Sequence, residues 1–221
     1  LTTTDSTVTI HDKNDVPFKK EGIKKRDVEV GNVLDYTITG KVPDTTGFDK
    51  YTYEITDTMS DGLTFKQDVT VTVGGTNVTS ACTITYNVDN NANKFTVSIP
   101  VRDYTIGDKI EVTYSALVNE NAVAKISKNS ATLTYSNNPS DSTKTDTTTT
   151  VEETVYSSEI VINKYETGKP GTMLPGAEFV LFRNDDVLYA TVQNDIQYYR
   201  WDEATKTVSW VDNIAEATKV T

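Results

Sequence analysis

The chain has one cysteine, Cys82, and one histidine, His11, among 221 residues. A single thiol excludes an intrachain disulfide, and Cys82 within "ACTITY" reads as a small buried residue. A lone histidine leaves metal clusters of several imidazoles, and Ser/His/Asp triads, without their parts. His11 is expected to be an ordinary strand residue. Basic residues are also few: 21 Lys and Arg stand against 32 Asp and Glu, a net charge of -11. That balance disfavours nucleic acid and anionic membrane surfaces as partners. No run reaches the roughly 18 apolar residues of a membrane span, so no membrane insertion is expected in this segment. The opening "LTTTDSTVTI" lacks the basic start and apolar core of a signal peptide. No Gly-rich phosphate loop occurs. "DKND" and "NVDNNAN" do not complete an acidic calcium loop with its glycine and distal glutamate, so turns are expected there, with no metal and no cofactor.

What the chain does have is Val, Ile, Thr and Tyr in alternating runs, which is strand chemistry. "TVTIHD", "VPFKKEG", "VLDYTITGKV", "KYTYEITDT", "DVTVTVGG", "CTITYNV", "KFTVSIPV", "KIEVTYSALV" and "NSATLTYSN" follow one another. Turn clusters such as "PDTTG", "SDG" and "NNPSDS" separate them. Short strands at this spacing predict an all-β sandwich. "NENAVAKI" and "DEATKTV" are the weak helix candidates, and both read better as turns. Residues 139–153, "PSDSTKTDTTTTVEE", are polar and low in complexity: a linker, or an edge strand leaving the sandwich. A second strand set then begins with "EIVINKYE", "GAEFVLFRN", "VLYATV", "IQYYRWD" and "TVSWVD". The predicted division is 1–155 and 156–221, the second part being a partial domain.

Three strands carry a polar residue where alternation calls for an apolar one. Tyr51, Tyr53 and Ile55 lead to Asp57; Val16 and Phe18 lead to Lys20; Ala131, Leu133 and Tyr135 lead back to Asn129. Buried charges must find partners or change protonation. If the three meet, burial favours a neutral lysine amine beside a protonated aspartic acid. The amine is then a nucleophile, the acid polarises and relays protons, and the Asn carboxamide can lose ammonia to become an amide to lysine. The competing reading places Lys20 on the surface with Lys19, Lys24 and Lys25, Asp57 at the start of a turn, and Asn129 as a strand cap.

The stretch "VGNVLDYTITGKVPDTTGFDKYTYEITDTMSDGLTF", with "TVTVGG", "IEVTYSALVNENAV" and "KNSATLTYSNNP" after it, resembles the isopeptide-forming middle domain of Gram-positive sortase-assembled pilus backbone subunits. "EIVINKYETGKPGTMLPGAEFVLFRND" resembles the start of a following collagen-adhesin B-type (CnaB) domain. An acidic, Thr-rich chain without disulfides suits such an extracellular, cell-wall-anchored setting. The resemblance implies an immunoglobulin-like sandwich with a self-made Lys–Asn bond and an acid beside it. Carried over, the acid is Asp57 and the asparagine Asn129; the lysine is Lys20, with Lys19 next and Lys13 third. In the second domain it implies a reactive Lys164, sharing a face with Ile160 and Ile162. No matching glutamate segment or closing asparagine strand is recognisable there, Asn213 being the only late asparagine.

"MLPGAEF" departs from the sorting signal LPxTG and reads as a turn, and no "YPK" polymerisation motif is present. The resemblance implies a structural shaft subunit, joined covalently by sortase to other pilin subunits, with host or matrix surfaces as further partners. Its chemistry would be a single-turnover self-cross-link and not enzymatic turnover. The alternative is a stalk or ligand-binding module of a surface adhesin. The aromatic group Tyr198, Tyr199, Trp201 and Trp210 suggests a sugar patch or, more simply, packing.

Overall fold

A computed structural model describes residues 16–22, 27–174, 176, 178–184 and 196–220. The sequence features at His11, Lys13, "DKND", Lys24, Lys25 and "VLYATV" lie outside the described residues. So do Pro175 and Ala177 of "MLPGAEF".

Twelve strands build the first unit: β1 (Lys19–Glu21), β2 (Val33–Lys41), β3 (Tyr53–Met59), β4 (Leu63–Phe65), β5 (Thr70–Val73), β6 (Thr76–Asn77), β7 (Thr83–Tyr86), β8 (Lys94–Ser98), β9 (Lys109–Val118), β10 (Ile126–Ser136), β11 (Thr145–Thr147) and β12 (Val151–Tyr156). They form two antiparallel sheets. One runs β1-β2-β9-β5-β6, with β4 also on β9; the other runs β10-β3-β8-β7, with β11 and β12 sharing the outer edge of β10. Alternation decides which residues face inward. β2 buries Leu34, Tyr36 and Ile38; β9 buries Ile110, Val112, Tyr114, Ala116 and Val118; β3 buries Tyr53, Ile55 and Met59. These rows meet in one continuous core between the sheets. That is the sandwich expected from the pattern.

The polar segment 139–153 is not a linker. Within it, Thr145–Thr147 pair with Thr134–Ser136, and the strand beginning at Val151 pairs with Ile126–Ala131. Of the two readings, the edge strand is the one found: Thr and Val tolerate a half-covered edge, and an edge strand needs only one apolar face. "NENAVAKI" is a turn containing a single 3-10 segment, Glu120–Ala122, which Asn119 caps by accepting from the Asn121 N–H. "DEATKTV" closes a hairpin. There Asp202 Oδ1 accepts from the Ala204 and Thr205 N–H groups at 2.9 and 3.1 Å, and Lys206 takes a left-handed φ of 56°.

The second unit comprises β13 (Tyr165–Glu166), β14 (Lys169–Met173), β15 (Phe179–Val180), β16 (Phe182–Asn184), β17 (Ile196–Asp202), β18 (Thr207–Val211) and β19 (Lys219–Val220). Among the described residues these make two two-stranded sheets and one three-stranded sheet. It touches the first unit where β18 passes the turn at Gly31. A Cβ there would stand 2.7 Å from the Val208 nitrogen, and the Trp210 indole N–H donates to Glu29 at 2.8 Å.

A candidate cross-linking site between the sheets

The register places the inward-facing residues of β3 and β10 beside one another. Asp57 stands opposite Ala131, and Asn129 stands opposite Met59. Asn129 is therefore the diagonal neighbour of Asp57 on the same inward face, within reach of a long side chain. Lys20 comes from the other sheet. It pairs with Ile38 on β2, so its inward neighbours there include Tyr36, which in turn stands opposite Tyr114. Phe65 and Phe95 pack against Tyr114, with centroids 6.0 and 4.9 Å from its ring. The result is a polar cluster walled by aromatic rings.

All three polar residues are buried. The Lys20 and Asp57 side chains are fully shielded from solvent, and so is Asn129. The Lys20 amine donates to Asp57 Oδ2. Tyr114 donates its hydroxyl to the same oxygen at 2.6 Å, and Asn129 Nδ2 donates to the Tyr114 oxygen at 3.3 Å. The Lys20 nitrogen also lies 5.5 and 5.6 Å from the Tyr36 and Tyr114 ring centroids. Asp57 Oδ1 and Asn129 Oδ1 are buried with no hydrogen-bond partner. Lys20 and Asp57 thus meet directly, and Asn129 joins them through Tyr114.

Burial sets the electrostatics. Desolvation pushes the Lys20 amine below the usual lysine range, against the pull of Asp57 and, more weakly, Glu153 and Glu152. Desolvation pushes the Asp57 carboxyl up, against Lys20 and the Tyr114 hydrogen bond. Both shifts favour the neutral forms, because in a dry interior the charged forms lose more hydration than their attraction returns. Burial first, then the Asp57 charge, also raises the Tyr114 phenol well above its ordinary value, so it remains a hydrogen donor.

The remaining candidates lie elsewhere. Lys19, the alternative lysine, is exposed on the opposite face of β1. Lys164 is exposed and outside any strand, and Ile160, Val161 and Ile162 are 68%, 65% and 50% exposed. The strand expected in "EIVINKYE" is reduced to Tyr165–Glu166. Alternation suggested an inward face there, but among the described residues no second layer covers it, and an uncovered apolar row gains nothing from pleating. Asp89 of "NVDNNAN" pairs with Lys94, leaving the loop a turn. Tyr199 meets Trp210 edge-on at 6.2 Å, and the Trp201 indole donates to Glu203. Tyr114 is the participant the sequence reading missed. Its signal was present: a phenol in the apolar row Ile110, Val112, Ala116, Val118 is the same kind of parity break as Asp57.

An immunoglobulin-like sandwich with a buried polar cluster joining its two sheets is the class this architecture defines. Residues 30–139 match the family model for the Gram-positive pilin backbone subunit 2, Cna-B-like domain, and this part of the chain belongs to that family. The Cna-B-like description thus falls on the first unit. Among solved structures, the chain is similar to the 35 kDa C-terminal fragment of the major pilin GBS80 of Streptococcus agalactiae. That match has a TM-score of 0.60 at 19% identity and covers 78% of this chain and 65% of that one. It is also similar to domains D2 and D3 of the major pilin SpaD of Corynebacterium diphtheriae, with a TM-score of 0.59, 20% identity and coverage of 93% and 70%. The group B streptococcus pilus 2b backbone protein gives 0.55, 22%, 90% and 74%. This chain spans 46% of the full-length SpaD structure. No curated protein matches the sequence.

Proposed function

We propose that this chain is a segment of an extracellular pilus shaft whose first sandwich welds Lys20 to Asn129 through an isopeptide bond made by its own side chains. The observation that carries this reading is the fully buried Lys20–Asp57 pair, set beside a fully buried Asn129 between two sheets. A buried ion pair is weak evidence for stability, since apolar residues of the same volume serve as well. Reactivity gives the arrangement a use. Two buried oxygens of the cluster, Asp57 Oδ1 and Asn129 Oδ1, have no hydrogen-bond partner. Both are acceptors, and a proton on Asp57 is what such a pair needs.

In the reaction, a proton passes from Lys20 to Asp57, leaving an amine and an acid. Lys20 Nζ attacks Asn129 Cγ, forming the new C–N bond. Asp57 stabilises the oxygen as charge grows there and carries a second proton away from Nζ. The Cγ–Nδ2 bond breaks, Nδ2 takes a proton, and ammonia leaves. The carboxyl is protonated at the end, so the step balances without oxidant or cofactor. It happens once per molecule, which is self-modification and not turnover.

The junction with the second domain falls directly after β12. The family match supports assembly with other pilin subunits on the cell surface; the proposal adds sortase as the joining enzyme and cell-wall attachment as the end state. Intact-mass spectrometry tests the central claim: the protein should be lighter by one ammonia, and Asn129→Ala should carry its full calculated mass. A full-mass parent protein would refute the bond.

A further inference from the structure

Resting on that bond-forming reading, we infer that Tyr114 is a catalytic residue of the cross-link, delivering the proton that Asn129 Nδ2 needs to depart as ammonia. The position of the phenol is the basis. Its oxygen accepts from Nδ2, the leaving nitrogen, at 3.3 Å, while its hydrogen is directed at Asp57 Oδ2 at 2.6 Å. That same Oδ2 accepts from the Lys20 amine. A continuous path therefore runs from the entering nitrogen, through one carboxylate oxygen and one phenol, to the leaving nitrogen.

The path solves a geometric problem. The carboxyl must collect a proton from Lys20 on one side and return one to Nδ2 on the other. Oδ2 already accepts two donors, and no hydrogen bond joins Asp57 to Nδ2. Tyr114 spans that gap. When Lys20 adds to Cγ, Nδ2 becomes an amine with a free lone pair and stops donating. The phenol then reverses its hydrogen bonds: Asp57 Oδ2–H gives its proton to the Tyr114 oxygen as Tyr114 O–H gives its own to Nδ2. Cγ–Nδ2 breaks with ammonia leaving, and the phenol ends neutral. Asp57 then takes the second proton from the former lysine nitrogen: of the two protons Nζ has lost since the ion pair, Nδ2 holds one and Asp57 the other, and the phenol is unchanged. A phenolate need not exist at any point, in keeping with the burial that holds this hydroxyl protonated.

The rings around it preserve the path. Tyr36 stacks on Tyr114 at 5.6 Å and Phe95 meets it edge-on at 4.9 Å, so the phenol ring is confined.

The test follows bond formation in freshly synthesised full chain by intact mass over time. Tyr114→Phe keeps the ring and removes the hydroxyl. Its loss of ammonia should be on the order of a hundredfold slower than in the parent, the lower end of what a positioned proton-transfer group supplies. A second arm places 2,3,5-trifluorotyrosine at position 114, which keeps ring, size and hydroxyl but makes the phenol more acidic. It should react at a rate clearly different from the parent's and with an altered solvent isotope effect, which a purely packing role would not produce. Rates within about threefold of the parent for both variants would overturn the relay. If Tyr114→Phe fails to fold, the fluorinated protein alone decides in either direction. A parent chain that never loses ammonia would instead refute the bond itself, a separate failure seen in the control lane.

Discussion

Pulling the chain from its two ends reads out the bond directly. Lys20 lies on β1 and Asn129 on β10, near opposite ends of the sandwich in sequence. A covalent tie between them takes the roughly 110 intervening residues out of the load path, and at about 3.3–3.6 Å per extended residue that is roughly 360–400 Å of hidden contour length. In Asn129→Ala the same residues are free to extend. Single-molecule stretching should therefore show an extra release of that size in the variant and none in the parent.

Heat should report the same change. The cross-link contributes about 4.7 kcal/mol of loop-closure stabilisation if it behaves like a disulfide over a similar span. The Asn129–Tyr114 hydrogen bond adds nothing to this difference, because Nδ2 has left the cross-linked parent as ammonia. Losing the tie lowers the melting temperature by about 10–20 °C for a domain of this size. Reductant should leave the parent unchanged, since an amide does not respond to it. Equal contour lengths in parent and variant would refute the reasoning, whatever their melting temperatures.

Other substitutions sort the lysines: Lys20→Ala should retain its ammonia by intact mass, whereas Lys19→Ala and Lys164→Ala should each lose one like the parent. Bond formation should be flat across mid-range pH, because amine plus acid carries the same net charge as the ion pair. It should fall at low pH, where the pair gains a second proton, and at high pH, where it loses its last. Burial, which raises Asp57 and lowers Lys20, draws both limits inward from the ordinary values, and quench-and-mass time courses across pH check this. At Gly62 an added Cβ would stand 2.2 Å from Ser127 Oγ and 2.9 Å from Ala122 Cα. Gly62→Ala should cost about 1–3 kcal/mol in denaturant titration through overpacking, without abolishing the cross-link.

The core of the first unit was legible because its strands obey a period of two. Tyr51, Tyr53, Ile55 and then Asp57 read as one face from the sequence, and Asp57 is indeed buried within β3. Edge elements were less legible. β11 and β12 are Thr- and Glu-rich, and nothing local marks a polar segment as paired; that is decided by whether the β10 edge is available to it. The reverse error occurred at Ile160 and Ile162, which parity places on one strand face and which are left exposed together with Val161. Periodicity states what a strand would bury and does not supply the layer to bury it against.

The sequence by itself determined the fold class, the sandwich faces, and the suspicion attached to Lys20, Asp57 and Asn129, because alternation and the cost of burying charge are local rules. The tertiary structure alone decided that Tyr114 stands between Asp57 and Asn129, that Lys20 and not Lys19 turns inward, and that two carboxyl and carboxamide oxygens go without partners. Those facts depend on strand register and on how two sheets face each other. They involve residues dozens of positions apart, whose separation in space no local pattern encodes.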